Sequence, residues 1–216
     1  MNVDKIIVKA FLGTLAAIGA LFVFLFVALV GIYPETMQEI TYDLGMDTPC
    51  IWFAERTYKR HGKIDDIALA MEVAIADGND KKVISCGKKM ITDEEFIDYC
   101  EEKTLQIKES AGNNELVYSV LGEYDEYVYG QIVLSQYRLN KKSEAITSAI
   151  EWTGNAFPKN NAIVRLLVEA KKDKDEQTLQ TLISKMKEIS IPSEDSDYYN
   201  EILAYAETPL STQTNS

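Results

Sequence analysis

Residues Ala10 to Pro34 read AFLGTLAAIGALFVFLFVALVGIYP, a run of 25 residues without a charge in which the only proline is the last. As a helix rising about 1.5 Å per residue it reaches roughly 38 Å, enough to cross a hydrocarbon core of about 30 Å with some tilt. The run therefore predicts a membrane span at 10–34, and the rest of the chain hangs from it. The flank before it, MNVDKIIVK, carries Lys5 and Lys9, whereas the flank after it carries Glu35, Glu39, Asp43 and Asp47 and no basic residue before Arg56. Basic short flanks stay in the cytoplasm. The expectation is a single-pass protein of the cell membrane with residues 1–9 as a cytoplasmic tip and the C-terminal part extracytoplasmic. A cleavable signal peptide is the competing reading, but its apolar region is about 7–15 residues and ends at a small-residue site that this run lacks. Ala10, Gly13, Ala17 and Ala20 place small side chains along one helical face. Such stripes let helices approach closely, so they mark a candidate contact for a homodimer or a partner span; glycine and alanine are also simply frequent in membrane helices.

Lys and Arg number 22 and Asp and Glu 34 in the 216 residues, and removing Lys5, Lys9 and Asp4 leaves 20 against 33 beyond the tip. Nucleic acids and anionic lipid surfaces are bound by basic patches, so this balance argues against both as partners. Plain solubility explains an acidic surface as well as a basic partner does.

Beyond the span the punctuation is helical, and no alternating pattern is long enough to build a sheet, so the fold class read here is all-α. Met37, Ile40 and Leu44 predict a short amphipathic connecting helix within 35–49, stopped at Gly45. Asp47-Thr48-Pro49 opens the next helix, which runs through Trp52, Phe53 and Tyr58 to Gly62. Ile64, Ile67, Ala68, Met71, Ala74 and Ile75 space out a further apolar face before Asp77-Gly78-Asn79 breaks it.

Within this region the stretch AERTYKRHGKIDDIALAMEVAI, Ala54 to Ile75, resembles one tetratricopeptide repeat (TPR), with Tyr58, Gly62, Ile64, Met71 and Ala74 on the packing and turn positions of that helix-turn-helix unit. It departs from the pattern at Ile51, Glu55 and Asn79. The resemblance implies that 50–207 is a TPR-like α-solenoid of helical hairpins that binds a peptide or protein in a groove. Hairpin-opening helices are expected near Asp80, Glu126, Asn161 and Asp195, the last three 35 and 34 residues apart, which is close to the repeat length of the family. Ser143 to Ile146 and Asp175 to Ile189 read as second helices, Tyr198 to Ala206 as a cap, and 208–216 as a disordered polar tail. Thr92-Asp93-Glu94-Glu95 has the form of a capping box and predicts a helix starting at Asp93.

Chemistry has little purchase in this sequence. His61 is the single histidine and sits at a helix end, where the dipole favours an imidazole. Cys50, Cys86 and Cys100 lack the close spacing of zinc ligand pairs. Counted from the turn before Thr92, Cys86 and Cys100 fall at similar distances, which admits a disulfide; the other reading is three small buried apolar side chains. Asp77 to Lys81 opens like a calcium loop, but Lys81 stands at a ligand place and no Glu closes it. Asp65-Asp66, Glu94-Glu95 and Glu101-Glu102 are the carboxylate pairs a hydrolase would use, and all read more simply as solvated or dipole-paired charges. No cofactor is expected. Tyr118, Tyr124, Tyr127, Tyr129 and Tyr137 crowd one region and are candidates for a peptide-groove wall, or else gap fillers between helices. The expected function is thus a membrane-tethered protein-binding or assembly scaffold, not an enzyme. The rivals are a subunit held mainly by its span and, more remotely, a carboxylate-dependent hydrolase.

Overall fold

The structure is a computed structural model that describes residues 3–112, 123–152, 161–189 and 196–209, with side chains described from Phe11 onward. Among these residues there are eleven α-helices and no strand. In chain order they are α1 (Val3–Ile32), α2 (Pro34–Asp43), α3 (Asp47–His61), α4 (Ile64–Ala76), α5 (Asp80–Met90), α6 (Phe96–Ala111), α7 (Tyr124–Arg138), α8 (Lys142–Glu151), α9 (Ala162–Lys172), α10 (Glu176–Met186) and α11 (Ser196–Glu207). The chain divides into two compact units, Met1–Val73 and Ala74–Ser216, with the boundary inside α4.

In the first unit, α1 is one unbroken helix whose stretch Phe11–Ile32 is long and apolar enough to cross a membrane, with none of it buried against protein. It stops where Pro34 begins α2: proline has no N–H to donate and suits a first helical turn. Gly45 and Gly62 end α2 and α3 in the left-handed region, at φ 63° and 71°, where a side chain would be strained. Cys50, Ile51, Phe53 and Ala54 of α3 and Ile64, Ile67, Ala68 and Met71 of α4 supply the core. Arg60, near the end of α3, donates to the carbonyl of Ile32 at 2.7 Å, so the last turn of α1 is tied to the far end of the α2–α3 hairpin.

The second unit is built around α7. Ten of its 15 residues are buried, from Tyr124 to Tyr137. It packs against α5, α6, α8 and α9, and the side chains it buries include the polar Glu126, Ser135 and Gln136 beside the apolar Val128, Ile132 and Val133. Val133, Ala149, Ile163, Leu166, Leu167, Leu182 and Met186 form the centre of a continuous apolar cluster that Tyr199 and Ala206 of α11 close at one end.

Four hairpin turns share one geometry. In the turns after α2, α4, α7 and α9 a single residue is left-handed: Gly45, Gly78, Asn140 and Lys174. In each, that residue's N–H returns to the third carbonyl before it, and the next N–H returns to the fifth: Gly45 to Tyr42 and Met46 to Thr41, Gly78 to Ile75 and Asn79 to Ala74, Asn140 to Tyr137 and Lys141 to Gln136, Lys174 to Lys171 and Asp175 to Ala170. This is the Schellman closure, and it satisfies carbonyls that the helix end leaves open. Asn79 and Asp175 then cap the following helix by accepting from the N–H of Lys82 and Thr178.

The structure corrects the reading of Thr92 to Glu95. Helix α6 starts at Phe96, three residues later than the capping box predicts, and Glu95 makes no side-chain cap. The Thr92 hydroxyl donates instead to the carbonyls of Lys88 and Lys89, each at 3.0 Å, so it finishes the last turn of α5. Asp93 accepts from the N–H of Glu95 within the turn. The hairpin-opening helices start at Asp80, Tyr124, Ala162 and Ser196, so the last two starts are 34 apart, as the spacing predicts, and the pair before them 38. Pro158 and the tail from 210 onward lie outside the described residues.

Candidate functional site

The tyrosines do not form one wall. Tyr118 lies outside the described residues. Tyr124 and Tyr137 are buried, at 7% and 6% exposure, and Tyr127 and Tyr129 are half-buried on opposite sides of the 3.6-residue turn of α7. Tyr124 sits between Tyr99 and Tyr127, with ring centroids 5.9 and 5.6 Å away. Tyr129 stacks on Trp152 at 5.0 Å and meets Phe96 at 5.8 Å. The Tyr137 hydroxyl donates to Asp175 at 3.2 Å. Tyr124, Tyr129 and Tyr137 thus each contact side chains of neighbouring helices.

Three side chains hold the Asp175 carboxylate. Burial by itself would raise its pKa, but hydrogen bonds from Lys142, Thr178 and Tyr137 outweigh that and hold it at about 2. Lys142 Nζ stands 2.7 Å from Oδ2, and the Thr178 hydroxyl 2.6 Å. The same residue thus caps α10 and binds α7 and α8 to it.

Between α8 and α10 an open cleft of about 600 Å³ is lined by Ile146, Thr147 and Ile150 on one side and Gln177, Thr181 and Lys185 on the other. Ile146 and Ile150 are the apolar side chains of a lining that is otherwise polar or charged.

A charged cluster missing from the sequence reading lies between α7 and α9. Glu126 is 8% exposed, one of its carboxylate oxygens has no hydrogen-bond partner, and burial first and then Asp125 push its pKa up to about 7. The backbone N–H of Ala162 at the start of α9 and the positive charge of Arg165 act the other way. The Arg165 guanidinium lies 5.8 Å from the Tyr127 ring centroid, and its stem crosses Gly130, where any Cβ would collide with it. The signal in the sequence is a glycine inside an otherwise strong helix.

The carboxylate pairs a hydrolase would use are not brought together. Glu94, Glu95, Glu101 and Glu102 are exposed on α6 and the turn before it, and Asp65 is exposed at the start of α4. Asp66 instead helps to line a smaller polar pocket of about 260 Å³ with Glu35, Gln38, Glu39, Thr57 and His61. His61 pairs with Glu35; that carboxylate's pKa is lowered by its own backbone hydrogen bond first, against burial, and then by His61. Among the described residues no three His, Cys, Asp or Glu side chains are grouped to hold a metal ion.

Cys50, Cys86 and Cys100 are all buried thiols, so the bridge that the spacing of Cys86 and Cys100 admits is not formed in this structure. Burial and, less strongly, Asp125 push the Cys100 thiol up to about 12, which leaves it protonated and inert. In α1, Gly13, Ala17 and Ala20 are exposed and no atom would meet a Cβ at Gly13; the side chain of Ala10 lies outside the described residues. No family model, curated protein or solved structure matches this chain.

Proposed function

We propose that the chain is a membrane-tethered protein-binding scaffold, a TPR-like α-solenoid of helical hairpins presented outside the cytoplasm by a single span. The observation that carries this reading is the repeated turn. Gly45 and Gly78 are 33 residues apart and Asn140 and Lys174 are 34 apart, each closing its helix with the same pair of backbone bonds. Units of that length stacked on their neighbours are what the resemblance at Ala54 to Ile75 implies. The docking surface is the cleft between α8 and α10, which Ile146 and Ile150 line together with polar side chains. It takes an extended or helical segment of a partner protein.

A photo-crosslinking amino acid placed at Thr147 or Thr181 of the full chain, in its own membrane, tests this. Capture of one discrete partner, lost when Ile150 is replaced by Glu, supports the scaffold; uniform background labelling overturns it. The exposed small residues of α1 favour a second reading, a subunit held by its span. Replacing Gly13 and Ala17 by Ile separates the two, because loss of capture with an intact cleft belongs to the span-held subunit.

A further inference from the structure

Gln38 of α2 and Asp66 of α4 face each other inside the first unit. Gln38 Nε2 donates to Asp66 Oδ1 at 3.2 Å. The amide oxygen of Gln38, Oε1, and the second carboxyl oxygen of Asp66, Oδ2, are both buried and accept a hydrogen bond from nothing. A buried acceptor left without a donor is unfavourable, and here there is one on each of two side chains already joined by a hydrogen bond. Rotating the Gln38 amide does not help, because it turns its oxygen toward a carboxylate and removes the one bond present. A carboxylate has no hydrogen to offer, whereas a carboxylic acid presents one O–H donor beside one acceptor, the complement of a primary amide.

We propose that Asp66 is held as the neutral acid and closes a ring of two hydrogen bonds with Gln38, its O–H donating to Gln38 Oε1 while Gln38 Nε2 donates to Oδ1, so that the α2–α4 junction carries a removable proton. One proton satisfies both orphan oxygens. The surroundings agree: burial first raises the pKa of Asp66, the Gln38 amide and Lys63 lower it, Asp65 raises it, His61 lowers it, and the balance is upward. From α2, Glu35 and Glu39 stand in the same pocket, and Glu35 is engaged by His61. The pocket gives the proton its way to water.

Because the folded pKa lies above the ordinary carboxyl value of 3.8, the ring's contribution is complete below that value and is lost as pH rises through the folded one. Ionised Asp66 releases its proton to water and then sets acceptor against acceptor at Gln38 Oε1. The helix that follows the span thereby loses an attachment to α4.

Hydrogen exchange of the α2 amides in the full chain in detergent, corrected for the intrinsic effect of pH, tests this at pH 4 and pH 8. In the wild type, protection falls at pH 8, by up to about tenfold for each unit separating the folded and unfolded pKa. Asp66→Asn supplies a permanent N–H donor in the same place, so its protection is the same at both pH values. Equal protection in the wild type, or a parallel fall in the variant, overturns the proposal. A carbon-13 titration of the Asp66 carboxyl in the wild type decides independently of how the variant folds: a midpoint above 3.8 supports the ring, and one at or below it overturns the ring.

Discussion

Gly130 and Asp175 show how single positions hold the second unit together. At Gly130 the missing side chain lets Arg165 cross α7, so Gly130→Ala sets a gain in helix propensity of about 0.5–1 kcal/mol against displacement of the arginine from Tyr127 and Glu126. The full chain in detergent is expected to lose about 1 kcal/mol. In an Arg165→Ala background the same change becomes stabilising by about 0.5–1 kcal/mol, and urea unfolding of the four combinations measures the coupling. Asp175 predicts a pH dependence of the opposite sign to Asp66. Its folded pKa of about 2 lies below 3.8, so its contribution is present above pH 4 and is lost as pH falls through 2. The difference corresponds to about 2 kcal/mol. Asp175→Asn should therefore lower stability by about that much at pH 7, with the difference shrinking below pH 4 and gone below about pH 2. The partners of neither position were legible in the sequence. Arg165 meets Gly130 from another hairpin, and the partners of Asp175 come from α7 and α8, so no local pattern joins them.

Turns and caps were legible where one residue decides them. Gly45, Gly62 and Gly78 stop helices because only glycine takes a positive φ without strain, and the sequence shows them directly. Asn140 and Lys174 do the same work at φ 60° and 56° with ordinary side chains, and so escape notice. Lys174 carries the larger strain, because asparagine tolerates this region better than lysine. Lys174→Gly is expected to stabilise the full chain by about 1 kcal/mol and Asn140→Gly by less, read as a rise in Tm. A loss at Lys174 would show that its backbone conformation is not left-handed in solution. Thr92 teaches the reverse lesson. A threonine followed three places later by glutamate fits a helix start, yet its hydroxyl can equally close the helix before it, and only the packed structure distinguishes the two. The crowding of tyrosines shows their density but not the face each one takes, so the sequence leaves both a groove wall and gap filling open on a helix that is largely buried in its unit.

At the scale of the molecule, the all-helical class followed from apolar spacing and breakers, and the apolar helix from its length alone. The cleft between α8 and α10 was not legible, since these helices belong to different hairpins and meet only in three dimensions. The proposed orientation rests on Lys5 and Lys9 against Glu35, Glu39, Asp43 and Asp47. Protease added to intact spheroplasts should digest everything beyond the span and spare the tip, and full protection of the C-terminal part reverses the assignment.

The repeated turn also bears on how the chain reaches this state. Each Schellman closure joins helices that are adjacent in sequence, as α2 with α3, α7 with α8 and α9 with α10. Hairpins whose contacts are this local form without closing long loops, so they belong to the fast regime of folding. A chain emerging N-terminus first can complete the α2–α3 hairpin, and anchor it to Ile32 through Arg60, before α7 has been synthesised.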